Sequence, residues 1–120
     1  MVRRRLVGYI RVERRRDRRR PIALAARIGD QAVTIIDISL GGMGVAAVTV
    51  RSGELRTYHI GHQHRVVLEV PSYGLLELLA EVARVDAARQ FLGLRFRGLD
   101  PVSYRVIERL AIGRPVLPAR

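Results

Sequence analysis

Three glycines fall within four positions, Gly41, Gly42 and Gly44, between the β-branched run Ala32 to Ile38 and the apolar run Met43 to Val50. That density permits positive φ and close backbone approach while weakening any regular element, so Ser39 to Gly44 reads as a turn joining two strands. The same punctuation recurs on either side. Ile22 to Ile28 and Ala32 to Ile38 are strand-like runs separated by Gly29-Asp30, a tight hairpin signal. A loop is expected over residues 51 to 62, then a strand from His64 to Val70 closed by Pro71-Ser72-Tyr73-Gly74. Leu75 to Val85 is rich in Leu, Glu and Ala, which favour helix locally. Its length and its position before Asp86-Ala87-Ala88-Arg89 and another strand-like run, Gln90 to Phe96, assign it as a long strand.

The period changes after residue 99. Asp100 suits an N-cap, Pro101 suits the first helical position, and Val102, Val106, Ile107 and Leu110 share one face at helical spacing. Gly113 and Pro115 then stop the helix. Several short strands followed by one helix predict a mainly β domain, a small antiparallel barrel with the helix across an open end. The length of 120 residues suits one such domain, with residues 1–20 as a basic arm, 21–112 as barrel plus helix, and 113–120 as a tail.

Charge is concentrated at one end. Ten arginines among the first twenty residues, against Glu13 and Asp17, put +8 of the net +11 in the arm. All 22 basic residues are arginine and lysine is absent, so the choice of Arg over Lys is a habit of the whole chain and carries no signal. The clustering does carry one. An arm so charged, with little apolar surface to bury, is expected to be mobile when empty.

Composition excludes several chemistries. There is no cysteine, hence no disulfide, thiolate metal site or cysteine nucleophile. His59, His62 and His64 lie close together with no acidic ligand nearby, and read as a solvated loop rather than a zinc site. No serine or threonine pairs with a histidine and an acid, no phosphate-loop glycine pattern occurs, and no carboxylate cluster suits magnesium. The expectation is a protein without catalysis, metal or cofactor. Leu75 to Ala80 is the most apolar stretch, but Glu77 interrupts it and it falls far short of the roughly twenty residues of a membrane span. No apolar region follows the N-terminal arginines, so a cytoplasmic location without a membrane span is expected.

The arginine cluster and the Asp37-x-Ser39-x-x-Gly42 turn have the character of two halves of one nucleotide site. Guanidinium groups supply charge for phosphates, and the turn supplies a carboxylate, a hydroxyl and approachable backbone for a base. Taken singly, each half has a plainer reading. An arginine run is often a basic tail, and Asp-x-Ser is often a turn whose side chains satisfy local amides.

Together, Glu13-Arg14-Arg15-Arg16-Asp17-Arg18-Arg19-Arg20-Pro21, Asp37-Ile38-Ser39-Leu40-Gly41-Gly42-Met43-Gly44-Val45 and Leu92-Gly93-Leu94-Arg95-Phe96 resemble, in order and spacing, the PilZ domains, bacterial receptors for cyclic di-GMP. The resemblance spans roughly residues 13 to 112. It implies a six-stranded antiparallel β-barrel with a C-terminal helix, in agreement with the six runs read above, and a ligand held between the arginine segment and the barrel. Aligning Pro21 with the proline after the family's Arg-x-x-x-Arg motif makes Arg15 and Arg19 the pair, while Arg14 with Arg18 and Arg16 with Arg20 stay open as registers. Asp37, Ser39 and Gly42 match the second motif in full.

The implied roles follow from the ligand's chemistry. Cyclic di-GMP carries two phosphates and two guanines. Arginine forks onto phosphate oxygens or onto the O6/N7 edge of guanine and stacks on its face. Asp37 would accept from guanine N1–H and the 2-amino group, Ser39 would donate to phosphate or N7, and Gly42 would leave room for ligand against backbone. In the family the residue before the arginine motif influences whether one ligand or a stacked pair is held, and Arg14 in that place favours the pair. With no output domain following, the effect is expected to pass through a separate protein, with the chain a monomer or a weak dimer through the apolar run Leu75 to Leu79. Some family members have lost the ligand and serve only as interaction modules, which the intact motifs here argue against. The alternative from another class is a nucleic-acid-binding β-barrel with a basic arm. Phosphate neutralisation alone would serve it, but 5% aromatic residues leave few faces on which to stack single strands.

Overall fold

Alternation of buried and exposed side chains organises the fold. In the computed structural model, which describes residues 18–46 and 58–118, six strands and one helix follow each other as β1 (Arg20–Ile28), β2 (Gln31–Ile38), β3 (Gly42–Ala46), β4 (Gln63–Val70), β5 (Gly74–Asp86), β6 (Phe91–Arg97) and α1 (Pro101–Ile112). Every pairing is antiparallel, and the order β1-β2-β3-β6-β5-β4 closes on itself where Ala26 to Ile28 meet Val66 to Leu68. Each strand thus has a neighbour on both sides, although β1 meets β4 over those three residues alone among the described ones. Residues 1–17 of the expected arm, the end of the Met43 to Val50 run, the first part of the loop and the last two residues lie outside the described residues.

Strand β5 shows why local propensity loses. Leu76, Leu78, Ala80 and Val82 point inward at 0–6% exposure, whereas Leu75 and Leu79 between them stay 70% and 47% exposed. This period of two serves a strand and would scatter the same residues around a helix. The strand pairs with β4 along its first half and with β6 along its second, so nearly its whole length is bonded on one side or the other. Inside the barrel, Ile35, Ile38, Met43, Val45, Val66, Leu68, Val82, Leu92 and Leu94 are all essentially inaccessible. Helix α1 packs against β2 and β5 and adds Val106, Ile107 and Leu110 to that core.

The helix ends are built as the sequence implies. Asp100 accepts from the Ser103 amide at 2.7 Å, a bond that holds its carboxyl below the usual carboxylate value. At the other end Gly113 adopts φ +74°, and the Arg114 amide reaches back to the Arg109 carbonyl at 2.9 Å. The following segment turns along the fold and buries Val116.

Two features impose measurable constraints. A Cβ built on Gly42 would lie 2.1 Å from the Leu94 carbonyl oxygen, so β3 and β6 approach too closely there for any side chain. Gly42→Ala is therefore expected to cost about 2–3 kcal/mol through forced separation of backbone, read as a lowered urea midpoint; an unchanged midpoint would contradict the close approach.

The second feature is His64, whose Nε2 is buried without a hydrogen-bond partner among the described residues while its ring meets Tyr58 edge-on at 5.2 Å. Burial, and secondarily the charge of His62, lowers its pKa below the ordinary 6.5. The unfolded chain then takes up the proton first, so stability is full above pH 6.5 and falls as pH drops below it. Urea midpoints between pH 5 and pH 8 should show this decline, and His64→Phe should flatten it; an equal decline in the variant would assign it elsewhere.

Candidate functional site

The register of the first hairpin brings the arginine segment to the turn. Pro21 stands opposite Asp37 and Arg20 opposite Ile38, which delivers Arg19, just before β1, to the end of β2. Proline, lacking an N–H, is tolerated there because the pairing is irregular between Pro21 and Leu24. Arg19 Nη1 donates to Asp37 Oδ1 at 2.8 Å, with the two side chains 47% and 23% exposed. A pair so accessible contributes about 0–1 kcal/mol to stability. It can therefore be opened or bridged by an incoming group at little cost.

The other half of the site is rigid. The Ser39 amide donates to the Gly42 carbonyl at 2.9 Å, and the Ser39 hydroxyl accepts from the amides of Gly41 and Gly42 at 3.2 Å each. Ser39 is 3% exposed, so its hydroxyl is committed to shaping the turn that presents Asp37. The missing side chain of Gly42 faces the Leu94 carbonyl, so strand packing gives the reason for glycine at this position. Across the turn, Gly41 accepts from the Phe96 amide at 2.9 Å, which ties the tip to β6.

Beyond the motif, the pairings align a row across four strands: Asp37 opposite Gly44, Gly44 opposite Gly93, and Gly93 opposite Arg84. Met43, Val45, Leu92 and Leu94 all point into the barrel, so the row lies on the outer face. The two central members have no side chains, and their neighbours lean over them. A Cβ on Gly44 would sit 2.6 Å from Asp37 Oδ2, and one on Gly93 would sit 3.2 Å from Arg84 Cβ. The row spans about 14 Å from β2 to β5 at ordinary strand spacing. At its far end the Arg84 guanidinium lies 5.8 Å above the Phe91 ring and 3.7 Å from Asp86, beside a cavity of about 340 Å³ that Ile36 and Arg89 also line. This strip has a cation and a carboxylate at one end, and a cation stacked on an aromatic face at the other.

Of the residues singled out from sequence, Arg19, Asp37, Ser39 and Gly42 are thus brought together, the last two as supports. Arg14 and Arg15 lie outside the described residues. Arg20, which another register of the motif would use, turns away, and its guanidinium fills the space beside Gly113 at the end of α1. Gly44, Gly93, Arg84 and Phe91, which lie along this strip, are not among the candidate residues read from sequence. A lone glycine inside the strand-like Leu92-Gly93-Leu94 was the available signal, since it marks close approach. Among the described residues no group of three or more His, Cys, Asp or Glu side chains is arranged to hold a metal ion, and no helix is long and apolar enough to cross a membrane.

Comparison with known proteins bears on the fold and the family. The family model for the PilZ domain matches residues 10–113. Among solved structures, the inhibitor of motility (MotI/DgrA) of Bacillus subtilis superposes with a TM-score of 0.65 at 18% identity, over 79% of this chain and 47% of that one. The PilZ domain of YcgR from Escherichia coli, solved with c-di-GMP, gives 0.57 at 18% identity over 76% and 80%. The PilZ domain of CeSA from a cellulose-synthesizing bacterium gives 0.54 at 17% over 80% and 96%. The chain therefore spans about half of the first of these proteins, and likeness at such identity establishes the fold they share. No curated protein sequence matches the chain. With a family model covering nearly its whole length and a barrel of the same architecture, the chain belongs to the PilZ domain family.

Proposed function

We propose that this chain is a non-catalytic receptor for cyclic di-GMP, which binds where Arg19 meets Asp37. That 2.8 Å contact carries the reading, because it joins the arginine segment to the turn in one place. A guanine can take over both partners: Arg19 forks onto O6 and N7 or onto a phosphate, while Asp37 accepts from N1–H and the 2-amino group, an edge that adenine lacks. Opening the exposed pair costs about 1 kcal/mol or less, small beside two charge-assisted contacts to a dianion. Arg14 and Arg15 add charge from the arm, and the Arg84–Phe91 stack offers a flat, cationic platform at the far end of the strip.

Binding rather than chemistry is supported by how the nearby carboxylates are used. Asp37 faces Arg19, Asp86 faces Arg84 and Arg89, and Glu81 lies between Arg95 and Arg97. Among the described residues each of these carboxylates is an ion-pair partner of arginine, which stays charged and exchanges no proton with it. The same pairing disfavours the nucleic-acid reading at this site, since Arg19, Arg84, Arg89, Arg95 and Arg97 each stand beside an acid that a polyanion would have to displace. The relative solved with c-di-GMP supplies a precedent for the ligand class on this fold. Ligand binding orders the arm against the barrel, and a separate protein reads the result.

Calorimetric titration of the full chain with cyclic di-GMP is expected to give micromolar or tighter binding, weakened about tenfold or more by Arg19→Ala and by Asp37→Ala and unaffected by excess oligonucleotide. Retained affinity in both variants, or displacement by any polyanion, would count against the reading. Gly44→Ala pushes a methyl group into the Asp37 carboxylate and should weaken binding while leaving thermal unfolding nearly unchanged. Two ligands per chain are expected if Arg14 promotes a stacked pair, and a stoichiometry of one removes that role. Amide exchange over residues 12–20 should slow on ligand addition; unchanged exchange would refute ordering of the arm.

A further inference from the structure

Away from this strip, α1 and the chain that follows it border an apolar groove of about 520 Å³. Val106 and Val116 in it are buried, while Val102 and Leu117 remain 60% and 70% exposed, a large apolar surface for a single helix and tail to leave in water. Two arginines one helical turn apart, Arg105 and Arg109, line the same groove. Neither has a carboxylate within salt-bridge distance among the described residues, a condition they share with Arg18, Arg20, Arg27 and Arg114, but they alone of these line an apolar groove.

We propose that this groove is the docking site for an acidic amphipathic segment of another protein, with its apolar side chains against Val102, Val106, Val116 and Leu117 and its carboxylates on Arg105 and Arg109. Charge decides between occupants. A wholly apolar occupant would take two guanidinium groups out of water without partners, which is strongly unfavourable. Carboxylates spaced one turn apart would satisfy both by forked hydrogen bonds. The chain's own arm is excluded by its ten arginines, which would be placed against two more. A second copy would bring the same arginine pair to a two-fold interface, on a molecule already carrying +11. A bilayer is flat, whereas a concave groove with apolar residues and a charged margin suits a helix laid lengthwise. None of the residues involved belongs to the ligand strip, so this surface stands or falls independently of the ligand.

The test uses the full chain and a fluorescein-labelled helical peptide with leucines along one face and flanking glutamates, followed by anisotropy. Saturable micromolar binding is expected, weakened about tenfold or more by Val102→Glu and by Arg105→Glu with Arg109→Glu, and by replacing the peptide's glutamates with lysines. Val102 and Arg105 are exposed, so these variants should melt as the parent does, and Leu117→Glu provides an independent probe of the groove's other side. No saturable binding, equal affinity for the lysine peptide, or affinity unchanged by the groove variants would overturn the proposal. So would sedimentation showing a dimer that Val102→Glu dissociates, or binding to phosphatidylglycerol vesicles that the same variants abolish while the peptide fails to bind.

Discussion

Backbone contact between β3 and β6 underlies the rest of the structure. The two strands meet where Gly42 lies against the Leu94 carbonyl and Gly44 pairs with Gly93, so three glycines keep the outer wall bare where the early and late halves of the barrel join. The same bareness lets Asp37 and Arg84 fold down onto the outer wall from either side. The Gly29-Asp30 turn and the irregularity between Pro21 and Leu24 set the first hairpin so that Pro21 lies opposite Asp37, and Arg19 arrives at the carboxylate. The candidate site is thus a consequence of strand register and close backbone packing.

The two halves of the site differ in stiffness. Ser39 locks the turn through four short-range hydrogen bonds to Gly41 and Gly42, so Asp37 is presented from a fixed frame. Arg19 is tied to it by a single exposed ion pair of small energy. A fixed acceptor facing a weakly held donor is suited to ligand exchange, because little native stability is lost when the pair opens. Structural stability resides instead in the aliphatic interior and in the capped helix that covers it.

Much of the fold was legible because local signals agreed with the global pattern. Gly29-Asp30 marked the first hairpin and Asp100-Pro101 and Gly113 marked both ends of α1, whereas β5 was readable only from its length and position, against its local helix propensity. Irregularities were not legible, since the register slips at Ile36 and Ala83 depend on which strands pair. That Asp37 and Arg19 would lie together was readable from their motifs, and the structure joins them in an ion pair. The work of Ser39 and Gly42 could not be told from sequence, because a hydroxyl that shapes a turn and one that meets a ligand have the same spacing. The Gly44–Gly93–Arg84 row joins three strands far apart in the chain, and only their pairing assembles it.

The most direct test of the central claim, that the junction of Arg19 with Asp37 and the glycine row beside it receive one guanine-bearing dianion, is a nitrogen–proton NMR titration with cyclic di-GMP. The expected result is a set of shifts confined to the amides of Arg19, Arg20, Asp37 to Gly44, Gly93 and Arg84, with β4 unperturbed. Shifts centred on β4, or none at saturating ligand, would contradict it.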